Sequence, residues 1–245
     1  MLQLSVPGEP AGATRPSARC EACEVRSSAI CASLAPPAVD ELASLGRVIR
    51  LSAGQALLWE GGESVLVGNV IEGMLKLSTV TGDGREQIVG IVFPSDFIGR
   101  PFCKDSQQTV TALTPATVCV FSCGAFDHFA GEHANIESAL LRRTLDELDR
   151  ARRWMILLGR MSAAERVASL LLEIVDRLGA DGDEPIMLPL SRQQMGDLLG
   201  LAIETVSRTM TKFERDGLIA LPGGRWLIVN DIDALARIAQ KRRKG

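Results

Sequence analysis

Three thiols stand within twelve residues in CEACEVRSSAIC, at Cys20, Cys23 and Cys31. A two-residue gap lets one short loop offer two sulfurs to the same centre, and Cys31 can fold back as a third. In a compartment that keeps thiols reduced, such a triplet serves metal ligation rather than disulfides. A fourth donor is required. The two histidines, His128 and His133, are far along the chain, which leaves Cys103, Cys119 and Cys123 as candidates. Spacing admits two occupants: zinc held by four cysteines, or an iron–sulfur cluster, since four thiolates also hold [4Fe-4S].

A second set of chemistry-bearing residues is Glu204, Ser207 and Arg208 in IETVSR, three and four positions apart and so stacked on one side of a helix. Arginine donates twice to O6 and N7 of guanine, glutamate accepts from the amino group of cytosine, and serine serves either role. The same spacing also suits a solvated Glu204–Arg208 ion pair, worth roughly a few tenths of a kcal/mol.

The surrounding elements favour the DNA-reading role. Ser191-x-x-Gln194 is a capping box that opens a helix, and Gly200 stops it. A second helix is predicted from Ile203 to Asp216, with Val206, Met210 and Phe213 facing the core and Gly217 ending it. In LPGGRWLIV the pair Gly223-Gly224 turns a hairpin into a wing. Charge follows this division. Residues 1–186 carry 17 Lys and Arg against 24 Asp and Glu, whereas residues 187–245 carry 10 against 6. Cations thus gather where phosphate contact requires them. Four lie in the tail at 241–244, which reads equally as a solubilising tail.

Ahead of that domain, residues 1–19 are rich in Pro, Gly, Ala and Ser and read as disordered. From Gly46 to about Ser122 short alternating stretches (RVIRL, QALLW, VGNVIEGMLKLSTV, EQIVGIVF, ATVCVF) with frequent glycine turns predict an antiparallel barrel or jelly roll. A long helix is predicted from Glu132 to Arg160. Its Leu141, Leu145, Leu148 and Met155 form a coiled-coil seam with Arg152 at the skipped place. A charge there makes dimerisation weak and tunable. The alternative is that this side packs on the barrel, or that Ala151, Trp154 and Leu158 do so as a second stripe. Ala163 to Leu178 reads as an amphipathic helix, and a polar loop follows from Gly179.

The predicted architecture is therefore α+β. A disordered tail (1–19) precedes a thiol loop and antiparallel β-barrel sensor (20–131); a dimerisation helix (132–161) and a winged helix-turn-helix (162–245) follow. The hydrophobic content of 46% fits an ordered chain. No apolar run reaches the roughly 18 residues a bilayer span needs, and the N-terminus has no signal-peptide core, so a cytoplasmic protein without membrane association is expected. No Ser/His/Asp or phosphate-loop pattern points to an enzyme.

In this order of elements the chain resembles an FNR-type regulator, the oxygen-sensing branch of the cyclic-AMP receptor protein superfamily, from Cys20 to Ala239. It is most similar to the subgroup found in photosynthetic and nitrogen-fixing proteobacteria. Glu204-x-x-Ser207-Arg208 resembles the family's DNA-reading signature, and TLDELDRARRWMILLGRMSAAERVASLL its dimer helix and hinge. Cys20, Cys23 and Cys31 match its cluster loop, although seven residues separate the last two, more than in the best-known member. The resemblance implies that Cys119, in TVCVF, is the fourth ligand of a [4Fe-4S] cluster. It further implies a homodimer that activates transcription from a TTGAT-NNNN-ATCAA-like site at low oxygen, and that oxygen destroys the cluster and switches the protein off. Contact of Asp83-Gly84-Arg85 with RNA polymerase is also implied. The cyclic-AMP branch cradles its nucleotide phosphate with an Arg-Ser pair. PSDFIGRPFCKDSQQTVTAL has none, so no cyclic nucleotide is expected.

Overall fold

The computed structural model describes residues 16–179 and 185–240. Residues 1–15, most of the polar loop after Gly179 and the basic tail at 241–244 lie outside the described residues. The chain forms two compact units, 1–75 with 94–142, and 76–93 with 143–245.

In the first unit, helix α1 (Pro16–Glu21) begins inside the stretch read as disordered. Helix α2 (Pro36–Leu45) opens with proline, whose fixed φ suits a first turn, and buries Val39, Leu42 and Ala43. The strands are β1 (Gly46–Leu51), β2 (Ala56–Leu58), β3 (Leu66–Glu72), β4 (Leu75–Val80), β5 (Glu86–Val92), β6 (Phe97–Ile98), β7 (Thr109–Ala112) and β8 (Ala116–Ser122). They are the strands of an antiparallel jelly roll, as their alternation predicts.

One sheet has the order β1-β8-β3-β6. Its register sets Val48 opposite Cys119, Cys119 opposite Asn69, and Asn69 opposite Phe97, a single row across four strands. Sequence reading missed helix α3 (Cys123–Glu132), which follows β8 directly. His133, at φ −124° and ψ 85°, interrupts the helical path, so the long helix α4 (Ala134–Arg160) starts two residues later than expected.

One apolar core joins five parts of this unit: Ile30 from the thiol loop, Leu42 from α2, Val67 and Phe121 from the sheet, Phe126 and Phe129 from α3, and Ile136 and Ala139 from the first turns of α4. Cys31 and Cys119 pack against it.

The second unit holds the β4–β5 hairpin, α5 (Ala163–Leu178), β9 (Ile186–Met187), α6 (Arg192–Leu199), α7 (Ile203–Arg215), β10 (Ile219–Ala220), β11 (Trp226–Val229) and α8 (Ile232–Ile238). The hairpin rests on the helices here: the Gln87 side-chain amide donates to the Asp197 carbonyl, and the Arg177 guanidinium lies 4.9 Å from the Phe93 ring centroid. Strands β10, β11 and β9 form a small antiparallel sheet.

Candidate thiol site and nucleic-acid interface

Cys20 sits on α1, and that short helix is fixed by Arg19, whose Nη2 donates to the carbonyls of Ala43 (3.1 Å) and Gly46 (3.3 Å) at the end of α2. A cation belongs there, because the last carbonyls of a helix lack intrahelical donors. The loop carrying Cys23 is wound in successive turns and anchored by the buried Val25, Ala29 and Ile30. Cys31 lies on a short 3-10 turn, Ile30–Ser33. The Ile30 N–H donates to Asn69 Oδ1 at 3.4 Å, seating this turn on β3.

These elements bring Cys20, Cys23, Cys31 and Cys119 into one electrostatic neighbourhood. Burial pushes the Cys119 thiol up to about 12, and the nearby Cys31, Cys20 and Cys23 add to the rise. Burial likewise raises Cys31 to about 11, with help from Cys20 and Cys23. Cys20 is raised more modestly, by burial and by Cys23. An open cavity of 510 Å³ beside them is lined by Cys23, Cys31, Arg26 and Ser27 among others. Among the described residues, no three Cys, His, Asp or Glu side chains converge on a position for a single metal ion.

The donor set nevertheless has the chemistry that an iron–sulfur group takes. It consists of sulfurs alone, half-buried, and burial holds Cys31 and Cys119 protonated although Arg26 and Arg19 oppose the rise. Loading the site must displace these protons, so affinity rises with pH.

The metal-free chain has the opposite dependence. A folded-state pKa above the ordinary 9.0 means that the folded form holds its proton more tightly, so this stabilisation is complete below pH 9 and disappears as pH rises through about 11 and 12. Urea midpoints of the reduced, metal-free chain should therefore fall between pH 9 and about 11. They should fall less when Cys31 and Cys119 are both alanine; an equal fall would show that these thiols do not carry the effect.

Of the two remaining cysteines, Cys123 belongs to the apolar core against which Cys31 and Cys119 pack. Cys123, at the start of α3, is 8% exposed and lies 3.6 Å from Ser64 Oγ. Burial raises its thiol first, with Asp127 and Cys103 adding to the rise. Cys103 therefore lies near Cys123.

In the second unit the capping box forms as read: Ser191 Oγ accepts from the Gln194 N–H, and the Gln194 side chain accepts from the Ser191 N–H. Gly200 ends α6 in the left-handed region at φ 62°. Val206, Met210 and Phe213 of α7 are buried, while Glu204 and Arg208 are exposed and Ser207 is half-buried. Arg208 Nη2 lies 3.5 Å from Thr205 Oγ1, and Glu204 makes no ion pair with it among the described residues. The turn after β10 is the 3-10 segment Pro222–Gly224, with Gly223 at φ 64°.

Gly196 shows how tightly the α6–α7 corner is built. A Cβ there would stand 2.5 Å from the Leu201 carbonyl oxygen, which is backbone and cannot swing aside. Gly196→Ala gains about 0.8–1.0 kcal/mol of helix propensity. The clash costs about 1–3 kcal/mol, so net destabilisation with weaker DNA binding is expected. Chemical denaturation and a gel-shift titration check it; a variant that is stabilised and binds normally would refute the steric account.

Arg166 on α5 joins the helices that frame this corner. Its Nη2 donates to the Leu158 carbonyl of α4 (2.7 Å), its Nε to Met161 (2.9 Å), and its Nη1 to the Leu199 carbonyl of α6 (2.9 Å). Along α4 the seam residues Leu141, Leu145, Leu148 and Met155 are 61%, 53%, 44% and 72% exposed. Arg152 on the same helix pairs with Asp149 at 3.1 Å. The turn holding Gly84 is exposed, and Arg85 pairs there with Asp83 at 2.7 Å.

A jelly roll and a winged helix-turn-helix on one chain, with a long helix between them, define a class of DNA-binding transcriptional regulators. A cyclic nucleotide-binding domain model matches residues 48–133, and a Crp-like helix-turn-helix model matches residues 165–238. The chain is 40% identical over 223 residues to the transcriptional activator protein FnrL of Cereibacter sphaeroides, covering 89% of this chain and 90% of that one. It is also 40% identical over 207 residues to the nitrogen fixation regulation protein FixK of Bradyrhizobium diazoefficiens, covering 84% and 87%. The solved structure of FixK2 from Bradyrhizobium japonicum superposes with a TM-score of 0.74 at 28% identity, covering 82% of this chain and 99% of that one. The chain belongs to the Crp/Fnr family of transcriptional regulators; it is a DNA-binding protein and not an enzyme.

Proposed function

We propose that this regulator is an oxygen-responsive activator in which Cys20, Cys23, Cys31 and Cys119 hold a [4Fe-4S] cluster that promotes dimerisation and DNA binding when oxygen is scarce. The observation that carries this reading is that the turn bearing Cys31 is seated on Asn69, the strand neighbour of Cys119, so that thiols of the N-terminal segment and of β8 come together. When bound, the cluster supplies an oxygen-labile cross-link among four sulfurs.

The rest of the mechanism belongs to the chain. Cys20, Cys23 and Cys31 tether the N-terminal loop to Cys119 on β8, and Ile30 thereby stays in the core it shares with Ile136 and Ala139 of α4. An ordered start to α4 presents Leu141, Leu145, Leu148 and Met155 to a second copy, with Arg152 keeping that seam weak enough to switch. Two copies of α7 about 34 Å apart reach successive major grooves. Glu204, Ser207 and Arg208 read a TTGAT-NNNN-ATCAA-like site, and Gly84 and Arg85 face RNA polymerase. The jelly roll serves as scaffold, and no cyclic nucleotide is needed.

Anaerobic purification with iron counting, sizing and footprinting, repeated after exposure to air, tests this. A four-iron dimer that protects the site and becomes a non-binding monomer in air is expected. A colourless zinc protein whose footprint is the same in air would refute it. Arg208→Ala should cost about 1–3 kcal/mol at a single guanine; equal weakening on every sequence would make Arg208 a phosphate contact instead.

A further inference from the structure

The strand row through Cys119 contains one group whose bonding is incomplete. Asn69, 2% exposed in the middle of β3, has a side-chain Nδ2 with no hydrogen-bond partner, the one buried side-chain polar atom so placed among the described residues. Asparagine is disfavoured inside strands, and a buried donor without an acceptor calls for an explanation. The orientation of the amide is fixed. The Ile30 N–H can only donate, so the group 3.4 Å from it must be the oxygen, and the NH2 is turned away from that backbone.

What the NH2 can meet follows from the register. Asn69 is paired with Cys119 on one side and with Phe97 on the other, and Val48 lies beyond Cys119. Directly opposed residues of an antiparallel pair share a face, with Cβ atoms about 4.5–5.5 Å apart. Of the three other side chains in the row, only Cys119 carries an acceptor. Asn69 also touches the second arm of the site, because the residue after Ile30 is Cys31. A protonated thiol is a weak acceptor, whereas a sulfur bonded to iron is a good one.

We propose that Asn69 is a positioning residue of the thiol site, its Nδ2 donating an N–H···S hydrogen bond to the cluster sulfur at Cys119 while its Oδ1 holds the Ile30 backbone. This rests on the cluster reading above. Such a bond draws electron density from the sulfur, raises the reduction potential and slows loss of the cluster in air. One side chain thereby couples the seating of the Cys31 turn to the stability of the group it helps to bind.

The test uses the full chain reconstituted with iron and sulfide under nitrogen. Asn69→Asp keeps an oxygen facing Ile30 and removes the amide donor; Asn69→Leu removes both. Both variants should load four irons, titrate at a lower midpoint potential, show shifted Fe–S stretching bands in resonance Raman spectra, and lose visible absorbance in air several-fold faster than wild type. A measurement on unaltered protein guards against misfolded variants. The sequence contains three asparagines, Asn69, Asn135 and Asn230. With 15N-asparagine incorporated, pulsed EPR of the reduced cluster should reveal coupling to a side-chain amide nitrogen, and the coupling should vanish in Asn69→Asp. A loaded wild-type chain without that coupling, or variants with unchanged potential, bands and air lifetime, would remove Asn69 from this role and leave the cluster reading standing. A wild-type chain that takes up no iron would overturn both.

Discussion

Alanine at position 119 is expected to give a chain that folds and stays soluble yet retains almost no iron. Cys119 lies on β8, hydrogen-bonded to β1 on one side and β3 on the other, so the strand has no need of the sulfur for its place. Deleting one half-buried sulfur costs about 1 kcal/mol of stability, small beside the total for a domain. The loss to the site is of another order, since the three other thiols all sit on the N-terminal segment and Cys119 is the one proposed ligand on the sheet. If dimer-competent chain then falls from most of the population to about 1%, anaerobic DNA affinity drops on the order of 100-fold. Iron analysis and an anaerobic gel shift measure this. Cys103→Ala and Cys123→Ala should keep their iron, and a full cluster in the Cys119→Ala protein would move the fourth ligand to one of them.

Arg166→Ala should have the largest effect on the DNA-binding unit. Hydrogen bonds from a charged donor are worth about 1.5–3 kcal/mol each. Three from one guanidinium do not sum. A net loss of about 3 kcal/mol is therefore expected in denaturant unfolding, with weaker operator binding and an unchanged oligomeric state by sizing. Arg166→Lys should rescue little, because an ammonium group is a point charge and cannot span three carbonyls. If Arg166→Ala melted and bound DNA like wild type, the guanidinium would be incidental to the corner.

The parts of this structure legible in the chain are those specified by near neighbours. The Ser191–Gln194 box, the Gly200 stop and the apolar spacing of Val206, Met210 and Phe213 all act within one or two helical turns, and each forms as read. The strands were recognisable by alternation, but their pairing was not. Which of Cys103, Cys119 and Cys123 lies nearest the N-terminal thiols depends on register among strands distant in sequence, and spacing alone left the three equal. Helix α3 was missed because CGAFDHFAGE carries two glycines in ten residues, although Phe126, Phe129 and Ala130 stand at helical spacing and are buried. Helix α2 carries a readable proline start and was also overlooked. Asn69 was invisible for a deeper reason: an unsatisfied amide exists only once β3, β8 and the Ile30 turn are together.

The placement of the donors also bears on how the protein is made. Three thiols emerge from the ribosome early, whereas Cys119 follows Cys31 by 88 residues. At about 5–20 residues per second, the nascent chain spends roughly 4 to 18 s offering an incomplete claw to whatever soft metal is nearby. On the proposed cluster reading, correct loading waits until translation has passed β8, so the timing of assembly, and not affinity alone, decides which ion the site takes.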